Sequence, residues 1–455
     1  MSALQSAALR TAQHLIDAGH TTYFAGGCVR DALLSIEPKD YDFATSATPD
    51  EVMALFPRSN AIGAHFGVIL VKEGKFPFEI ATFRHDGSYK DGRHPESVTF
   101  STPEEDAQRR DFTVNGLFQD PQSGEIIDFV GGQADLKTKT LRAIGNAHDR
   151  FQEDALRLMR AIRFATVLEF QIEPATWGAI CDNAHLLSQV SAERIRDEFT
   201  RTLMAPARAR GFERLTESGL MRHIVPEIYD LIGCEQPPQW HPEGDVYQHT
   251  RIMLDMLEGD PKGEVSQELA LAVLLHDIGK PATFTYDAQD DRIRFNGHDR
   301  VGAEMAEKIL HRLKCSKATT ESVCAMVANH MNFMHVQQMR TAKVKRFMAR
   351  PTFEEEMELH RVDCGSSNGL TDNYDFLRAK GEEFAAEPLI PPPLVTGKDL
   401  IDLGLKPGPA FKDILGQVQT EQLEGQLTER NAALEWVKNI VTKIGGEATH
   451  NSGTD

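Results

Sequence analysis

In the run Tyr23-Phe24-Ala25-Gly26-Gly27-Cys28-Val29-Arg30-Asp31 an apolar strand ends on a double glycine, and about a dozen residues later comes Asp40-Tyr41-Asp42-Phe43. Side chains alternate faces along a strand, so an Asp-x-Asp pair sets two carboxylates on one side of a sheet. Two like charges that close call for a cation, and hard oxygen ligands favour Mg²⁺ or Mn²⁺. The glycines upstream let backbone N–H groups approach a triphosphate. Either motif alone is more often a solvated strand end or an ordinary turn. Together they predict a two-metal phosphoryl-transfer site on a small sheet.

A chain of 455 residues buries a large core and divides into three or four domains. Met1 to His20 carries Leu4, Ala8, Leu9, Ala12, Leu15 and Ile16 near helical spacing with no cleavage-site pattern. An amphipathic helix is expected there, not a signal peptide. No stretch of about eighteen apolar residues occurs, so no membrane span is predicted. The six cysteines (Cys28, Cys181, Cys234, Cys315, Cys324, Cys364) form no C-x-x-C pair and read as free thiols of a reducing compartment. A cytoplasmic location follows as an expectation. The formal charge of −19 argues against non-specific coating of nucleic acid. Locally, Arg194 to Arg214 holds six arginines against three acids, which suits a solvated helix face and an RNA-facing one equally.

The organisation is α+β: a small mixed-sheet head followed by all-α segments. Strands are predicted at Thr21 to Ala25, Phe66 to Val71, Phe76 to Phe83 and Ile126 to Val130, with turns at Gly63, Gly74 and Gly124. Beyond Ala147 glycine thins out, and Leu156, Met159, Ile162, Phe164 and Leu168 recur at helical spacing. A break at Gln236-Pro237-Pro238-Gln239 precedes a second helical block, and Pro388 to Pro393 leads to a tail helix pair capped at Thr396-Gly397-Lys398-Asp399. The expected domains are 1–145 (head), 146–235 (neck), 236–387 and 388–455 (tail), with disorder after Ile444.

Further polar residues join the aspartates. Glu79, on a neighbouring predicted strand, is a weaker candidate for a third catalytic carboxylate. Arg109-Arg110-Asp111 and Asn115 suit triphosphate and sugar oxygens. In Glu153-Asp154-Ala155-Leu156-Arg157-Leu158-Met159-Arg160, predicted helical, Asp154 and Arg157 share a face with Arg160. Cytosine and adenine each present an amino donor beside a ring-nitrogen acceptor, so a carboxylate beside a guanidinium can select CTP and ATP without a template. In isolation such a pair is a weak helical salt bridge.

The order of motifs resembles the class II tRNA nucleotidyltransferases, the CCA-adding enzymes and their bacterial poly(A) polymerase relatives. The resemblance lies in GGCVRD (26–31), DYD (40–42), RRDFTVNG (109–116), DFVGGQADL (128–136), EDALRLMR (153–160), SAERIRDEF (191–199) and the tail GKDLIDLGLKPGP (397–409). It implies that Asp40 and Asp42 hold two Mg²⁺ ions. Gly26, Gly27, Arg30, Arg109, Arg110, Asp111, Asn115, Asp154, Arg157 and Arg160 are implied to bind the nucleotide, and Arg194, Arg196, Arg201 and Lys398 the tRNA. Gly116 stands where the family usually has alanine, with little effect expected beyond a looser turn. The polar loop Arg84 to Arg93 is present; relatives adding only CC typically lack it, so addition of the terminal A is expected.

A second site is written as His249, His276-Asp277, His298, His330 and Asp363. Imidazoles and carboxylates from separate helices suit Mn²⁺, Fe, Ni²⁺ or Mg²⁺, with Asp277 able to bridge two ions. The stretch resembles HD-family phosphohydrolases, with Lys280 implied as a phosphate contact, and His249, His276, Asp277 and Asp363 form its safer set. The expected function is addition of C and A to tRNA 3′ ends from CTP and ATP, with a phosphoesterase in the HD segment. Other readings stay open: addition of the terminal A alone, which the loop Arg84 to Arg93 does not separate from full CCA addition; a poly(A) polymerase on broad RNA substrates; and a phosphohydrolase whose head only binds RNA.

Overall fold

A seven-stranded sheet forms the head in the computed structural model, which describes residues 1–63, 67–86, 98–259 and 263–450. In chain order the strands of the head are β1 (Thr22–Ala25), β2 (Asp42–Thr45), β3 (Asn60–Gly63), β4 (Val68–Glu73), β5 (Phe76–Thr82), the two-stranded ribbon β6 (Arg84–Asp86) and β7 (Val98–Phe100), then β8 (Leu117–Gln119) and β9 (Ile126–Asp128). The large sheet is ordered β3-β4-β5-β2-β1-β8-β9. β2 pairs parallel with β5, and this sets Asp42 opposite Glu79 and Phe43 opposite Ile80.

The period of two separates chemistry from packing. Phe24, Phe43 and Phe78 stack edge to face at 5.4 and 5.5 Å and pack with the N-terminal helix Ala3–Asp17 through Ala8, Ala12 and Leu15. Asp42 and Glu79 therefore point to the other side. Strands β1, β4, β5 and β9 lie where the apolar alternation placed them. β3 (Asn60–Gly63) and β8 (Leu117–Gln119) were not expected.

The body is helical. Helix Leu156–Val167 buries Leu158, Met159, Ile162 and Phe164 and packs on helices Ala192–Leu203 and Arg208–Glu217. One apolar interior runs without interruption from Ala7 in the head to Val362. Among the described residues the expected all-α body needs two corrections, the strand Gln171–Ile172 paired parallel with Thr140–Leu141, and a ribbon of Thr285–Asp287 with Arg292–Arg294. There Tyr286 and Ile293 face each other across a turn rich in Asp, a short alternation that the surrounding helical pattern masks.

Among the described residues the tail holds three helices, Gly397–Asp402, Pro409–Leu423 and Arg430–His450, where a pair was expected. They close around their own core of Leu400, Ile414, Val418, Ala433 and Val437. The capping signal is realised: Thr396 and Asp399 form a reciprocal box, with the Thr396 N–H donating to Asp399 at 2.8 Å. Most of the loop Arg84 to Arg93, and the disorder expected after Ile444 apart from the backbone of the last helix, lie outside the described residues.

Candidate nucleotide cleft and HD metal centre

Every residue expected to act in the head lines one cleft of about 700 Å³: Gly26, Gly27, Arg30, Asp40, Asp42, Glu79, Arg109, Arg110, Asp111, Asn115, Asp154, Arg157 and Arg160. Asp40 precedes β2 and Asp42 begins it, while the intervening Tyr41 turns inward against Phe24 at 5.0 Å. Enclosure by the cleft, with Asp40 and Glu79 beside it, pushes the Asp42 carboxyl up to about 6. Three carboxylates crowded on one side of the sheet are a donor set that fits hard divalent cations.

Gly26 has a φ of +72°, and a β-carbon there would lie 3.1 Å from Arg110. Its own N–H is committed to Leu117 O at 3.0 Å, so the glycine serves the turn and the close approach of Arg110. Asp106, which sequence reasoning missed, accepts from Arg109 at 2.7 Å and from Arg110 at 3.1 Å and is 1% exposed. Despite its burial, these guanidiniums hold its carboxyl below the ordinary value. Asp111 is likewise spent on neighbours, accepting from Arg160 at 2.7 Å and from Asn115 at 3.1 Å. Asn115 in turn accepts from Arg30 at 2.6 Å. Asp128 accepts four N–H groups of Val130 to Gln133, so DFVGGQADL is a structural buttress. Gly116 packs against Val130, whose methyl would lie 2.7 Å from an added β-carbon. The turn there is tight, not loose.

The run Glu153 to Arg160 is not one helix. Helix Ala147–Glu153 ends at Asp154, whose backbone is extended, and a new helix starts at Leu156. The cause is local: Asp154 Oδ1 accepts the Leu156 N–H at 3.0 Å, which favours a cap over a continuous helix. Asp154 and Arg157 each take another partner. Arg194 donates to Asp154 Oδ2 at 2.9 Å, and Arg157 donates to Glu153 at 2.6 Å and to Arg109 O at 3.2 Å.

The basic stretch scatters. Arg194 faces the cleft, Arg196 donates to Lys314 O and to Asp197, and Arg201 is exposed. Arg208 and Arg214 are buried on backbone carbonyls, the former reaching Leu257 O at 2.7 Å and the latter Phe170 O at 2.9 Å. Lys398 is exposed on the tail.

The second set converges completely. His249 comes from helix Val246–Met256, His276-Asp277 from the end of helix Gln267–Leu275, and His298 starts helix His298–Arg312. His330 follows helix Lys317–Asn329, and Asp363 lies in helix Phe353–Ser366. Gly279 permits this closeness, since a β-carbon would lie 2.6 Å from Gly302 N. The Nδ1 atoms of His276, His298 and His330 face the carbonyls of Val273, Phe295 and Val327 at 2.9, 2.8 and 2.6 Å. That of His249 faces Glu243 at 2.7 Å. Each acceptor fixes a tautomer with the proton on Nδ1, so four Nε2 lone pairs turn inward.

Asp277 stands between two half-sites. Its Oδ2 lies 3.1 Å from His276 Nε2, and its Oδ1 lies 3.4 Å from His298 Nε2 and 3.8 Å from His330 Nε2. His249 Nε2 is 3.2 Å from Asp363. Although burial alone would raise it, the His276 imidazole and the Lys280 ammonium hold the Asp277 carboxyl well below the usual range. The Nε2 atoms of His249 and His276 are buried with no hydrogen-bond partner among the described residues. Lone pairs facing each other this way fit a divalent cation. Lys280 forms an ion pair with Asp277 Oδ2 and donates to Gln236, both at 2.6 Å, so its ammonium is engaged within the wall. Around the centre a pocket of about 460 Å³ is lined by Trp240, His241, Arg292, Arg294, Met331, Met334 and Asn368. Glu243 and His241 were not foreseen; the spacing His241-x-Glu243 ahead of His249 was the available signal.

Fold and cleft define the class. Residues 22–142 match the Poly A polymerase head domain, 169–231 the probable RNA and SrmB-binding site of polymerase A, and 245–363 the HD domain. A CCA-adding enzyme of Streptococcus suis is 31% identical over 429 residues, 93% of this chain and 94% of the relative. The chain belongs to the CCA-adding enzyme family. One of Bacillus cytotoxicus is 44% identical over 207 residues, 45% of this chain and 52% of the relative. Matches of this second kind span about half the length of the relatives. The crystal structure of the Bacillus stearothermophilus CCA-adding enzyme in complex with CTP aligns over 98% of this chain and 100% of its own, with a TM-score of 0.73 and 26% identity. No helix among the described residues is long and apolar enough to cross a membrane.

Proposed function

We propose that the chain adds C and A to tRNA 3′ ends from CTP and ATP, in the cytoplasm, without a nucleic-acid template. The observation that carries this is a single cleft in which Asp40, Asp42 and Glu79 face Arg109 and Arg110, with Asp154 and Arg157 in the same wall. Divalent ions held by Asp40 and Asp42, two Mg²⁺ in this reading, supply neutralisation of the phosphates and alignment of the attacking hydroxyl with the leaving group. Arg109 and Arg110, preset by Asp106, bind the triphosphate. Asp154 accepts from the amino group of cytosine or adenine while Arg157 donates to the ring nitrogen. The tRNA 3′ oxygen bonds to the α-phosphorus as the bond to pyrophosphate breaks.

The test is incubation of tRNAs lacking zero to three 3′ nucleotides with each nucleoside triphosphate, separately and together. Incorporation of C and A, little U or G, and arrest at a complete end are expected. Unlimited A addition to bulk RNA would overturn the reading in favour of a poly(A) polymerase. Asp42→Ala should lower incorporation by about a thousandfold, since one carboxylate of a two-metal site is lost. An unchanged rate in that variant would leave the head as an RNA-binding module.

The HD segment is a phosphoesterase in this reading. His249, His276, Asp277 and Asp363 would hold one ion, and Asp277, His298 and His330 a second, drawn from Mn²⁺, Ni²⁺, Fe or Mg²⁺. The chemistry such ions supply is activation of a water for attack on phosphorus. Trp240 and Met334 offer apolar surface beside Arg292 and Arg294 for an anionic ester. Release of phosphate from a model phosphoester, abolished by His276→Ala with nucleotide addition intact, tests it.

A further inference from the structure

We propose that Arg194 is a specificity-determining residue of nucleotide addition, acting by fixing the acceptor face of Asp154. The inference rests on the reading of the base by Asp154 and Arg157 given above. It departs from the sequence-based expectation, which set Arg194 among tRNA contacts.

Asp154 sits in the extended link between two helices, with φ −143° and ψ 104°, its N–H donating to Arg150 O at 3.4 Å and its carbonyl accepting from Arg157 N–H at 2.9 Å. Its carboxylate is held by two further donors. Leu156 N–H reaches Oδ1 at 3.0 Å and Arg194 reaches Oδ2 at 2.9 Å. An ionised carboxylate oxygen accepts more than one hydrogen bond, so each oxygen keeps capacity for the base amino group while the group as a whole cannot rotate. Both side chains are only partly exposed, 25% for Arg194 and 18% for Asp154, and both line the nucleotide cleft.

The same helix supports the rest of the reading surface. Arg194 and Glu198 are four residues apart on helix Ala192–Leu203 and share a face. Glu198 accepts from Arg163 and lies 3.9 Å from Arg160, which also pairs with Asp111. Arg157 is fixed separately, by Glu153 and by the carbonyls of Arg150 and Arg109. A group that discriminates by donor and acceptor pattern must be held to within a fraction of an ångström. Arg194 is the side chain that does so for Asp154. Its removal leaves Asp154 held by the Leu156 N–H alone, so the carboxylate can pivot about that bond and meet uracil or guanine through intervening water.

The experiment uses the full chain with a tRNA transcript ending before its terminal CCA. Initial rates with CTP against UTP, and with ATP against GTP on the transcript ending in CC, are measured for the parent, Arg194→Gln, Arg194→Lys, Asp154→Ala and the double variant. Arg194→Gln should lower both selectivity ratios roughly tenfold, the scale of one charge-assisted hydrogen bond. tRNA affinity and its salt dependence should stay unchanged. Arg194→Lys, keeping one donor, should recover part of the selectivity, and the double variant should be no less selective than Asp154→Ala alone.

Parental selectivity in Arg194→Gln overturns the proposal. Weaker tRNA binding with a salt slope shallower by about one, at parental selectivity, would return Arg194 to the RNA contacts. Asp154→Ala at parental selectivity would sink the amino-acid reading of the base itself, and this inference with it.

Discussion

Asp106 shows how one side chain can organise a cleft it does not enter. It is buried, and both its oxygens are occupied by the guanidiniums of Arg109 and Arg110. Asp106→Ala would leave two arginines without their shared acceptor, destabilising the chain by about 3 kcal/mol. A thermal melt and CTP titration should show both the stability loss and weaker binding; binding at parental strength would mean that the arginines are preset by something else. Gly116→Ala should destabilise by about 1 to 3 kcal/mol in the same melt, because Val130 must give way. Asp40 precedes β2, so of the acidic pair only Asp42 was legible from alternation along a strand, which is a local rule. Asp106 was not, since its place in Pro103-Glu104-Glu105-Asp106 looks like any acidic first turn until tertiary contact brings in the arginines.

At the scale of elements, the four candidate metal-binding histidines of the HD segment, His249, His276, His298 and His330, share one device: each is oriented through Nδ1 by a carbonyl or a carboxylate. His276, His298 and His330 use carbonyls three residues back on their own chain, so a helix or turn end is enough to aim them. His249 lies inside a helix whose carbonyls are already paired, and it needs Glu243. Glu243→Gln should therefore weaken divalent-metal binding by about 10 to 100-fold, read by calorimetric titration with Mn²⁺. An unchanged affinity would reduce Glu243 to a packing residue. The order His, His-Asp, His, His, Asp was legible because the ligands are chemically conspicuous. The helix break at Asp154 was not, because the apolar spacing runs through it undisturbed, and the capping carboxylate that splits the helices is the same residue that reads as half of a salt bridge.

At the scale of the molecule, the tail has a separate core and touches the preceding segment through few polar links, among them Arg346 to Thr420 at 2.9 Å and Ala342 N–H to Glu424 at 3.0 Å. Removing residues 388–455 should leave the melting of the remainder within a few degrees while weakening tRNA binding; collapse of the whole fold would contradict an independent tail. Head and HD segment differ from this, because their apolar interiors are one. Free energy gained by a ligand at one end of such an interior is shared by all amides that exchange only through complete opening. CTP at about a hundred times its dissociation constant should slow the slowest deuterium uptake around His249 about a hundredfold, as it does around Leu158. Two sites that never touch the same atoms would then stand or fall together under heat or protease, and occupancy of the head cleft by nucleotide would protect the HD half.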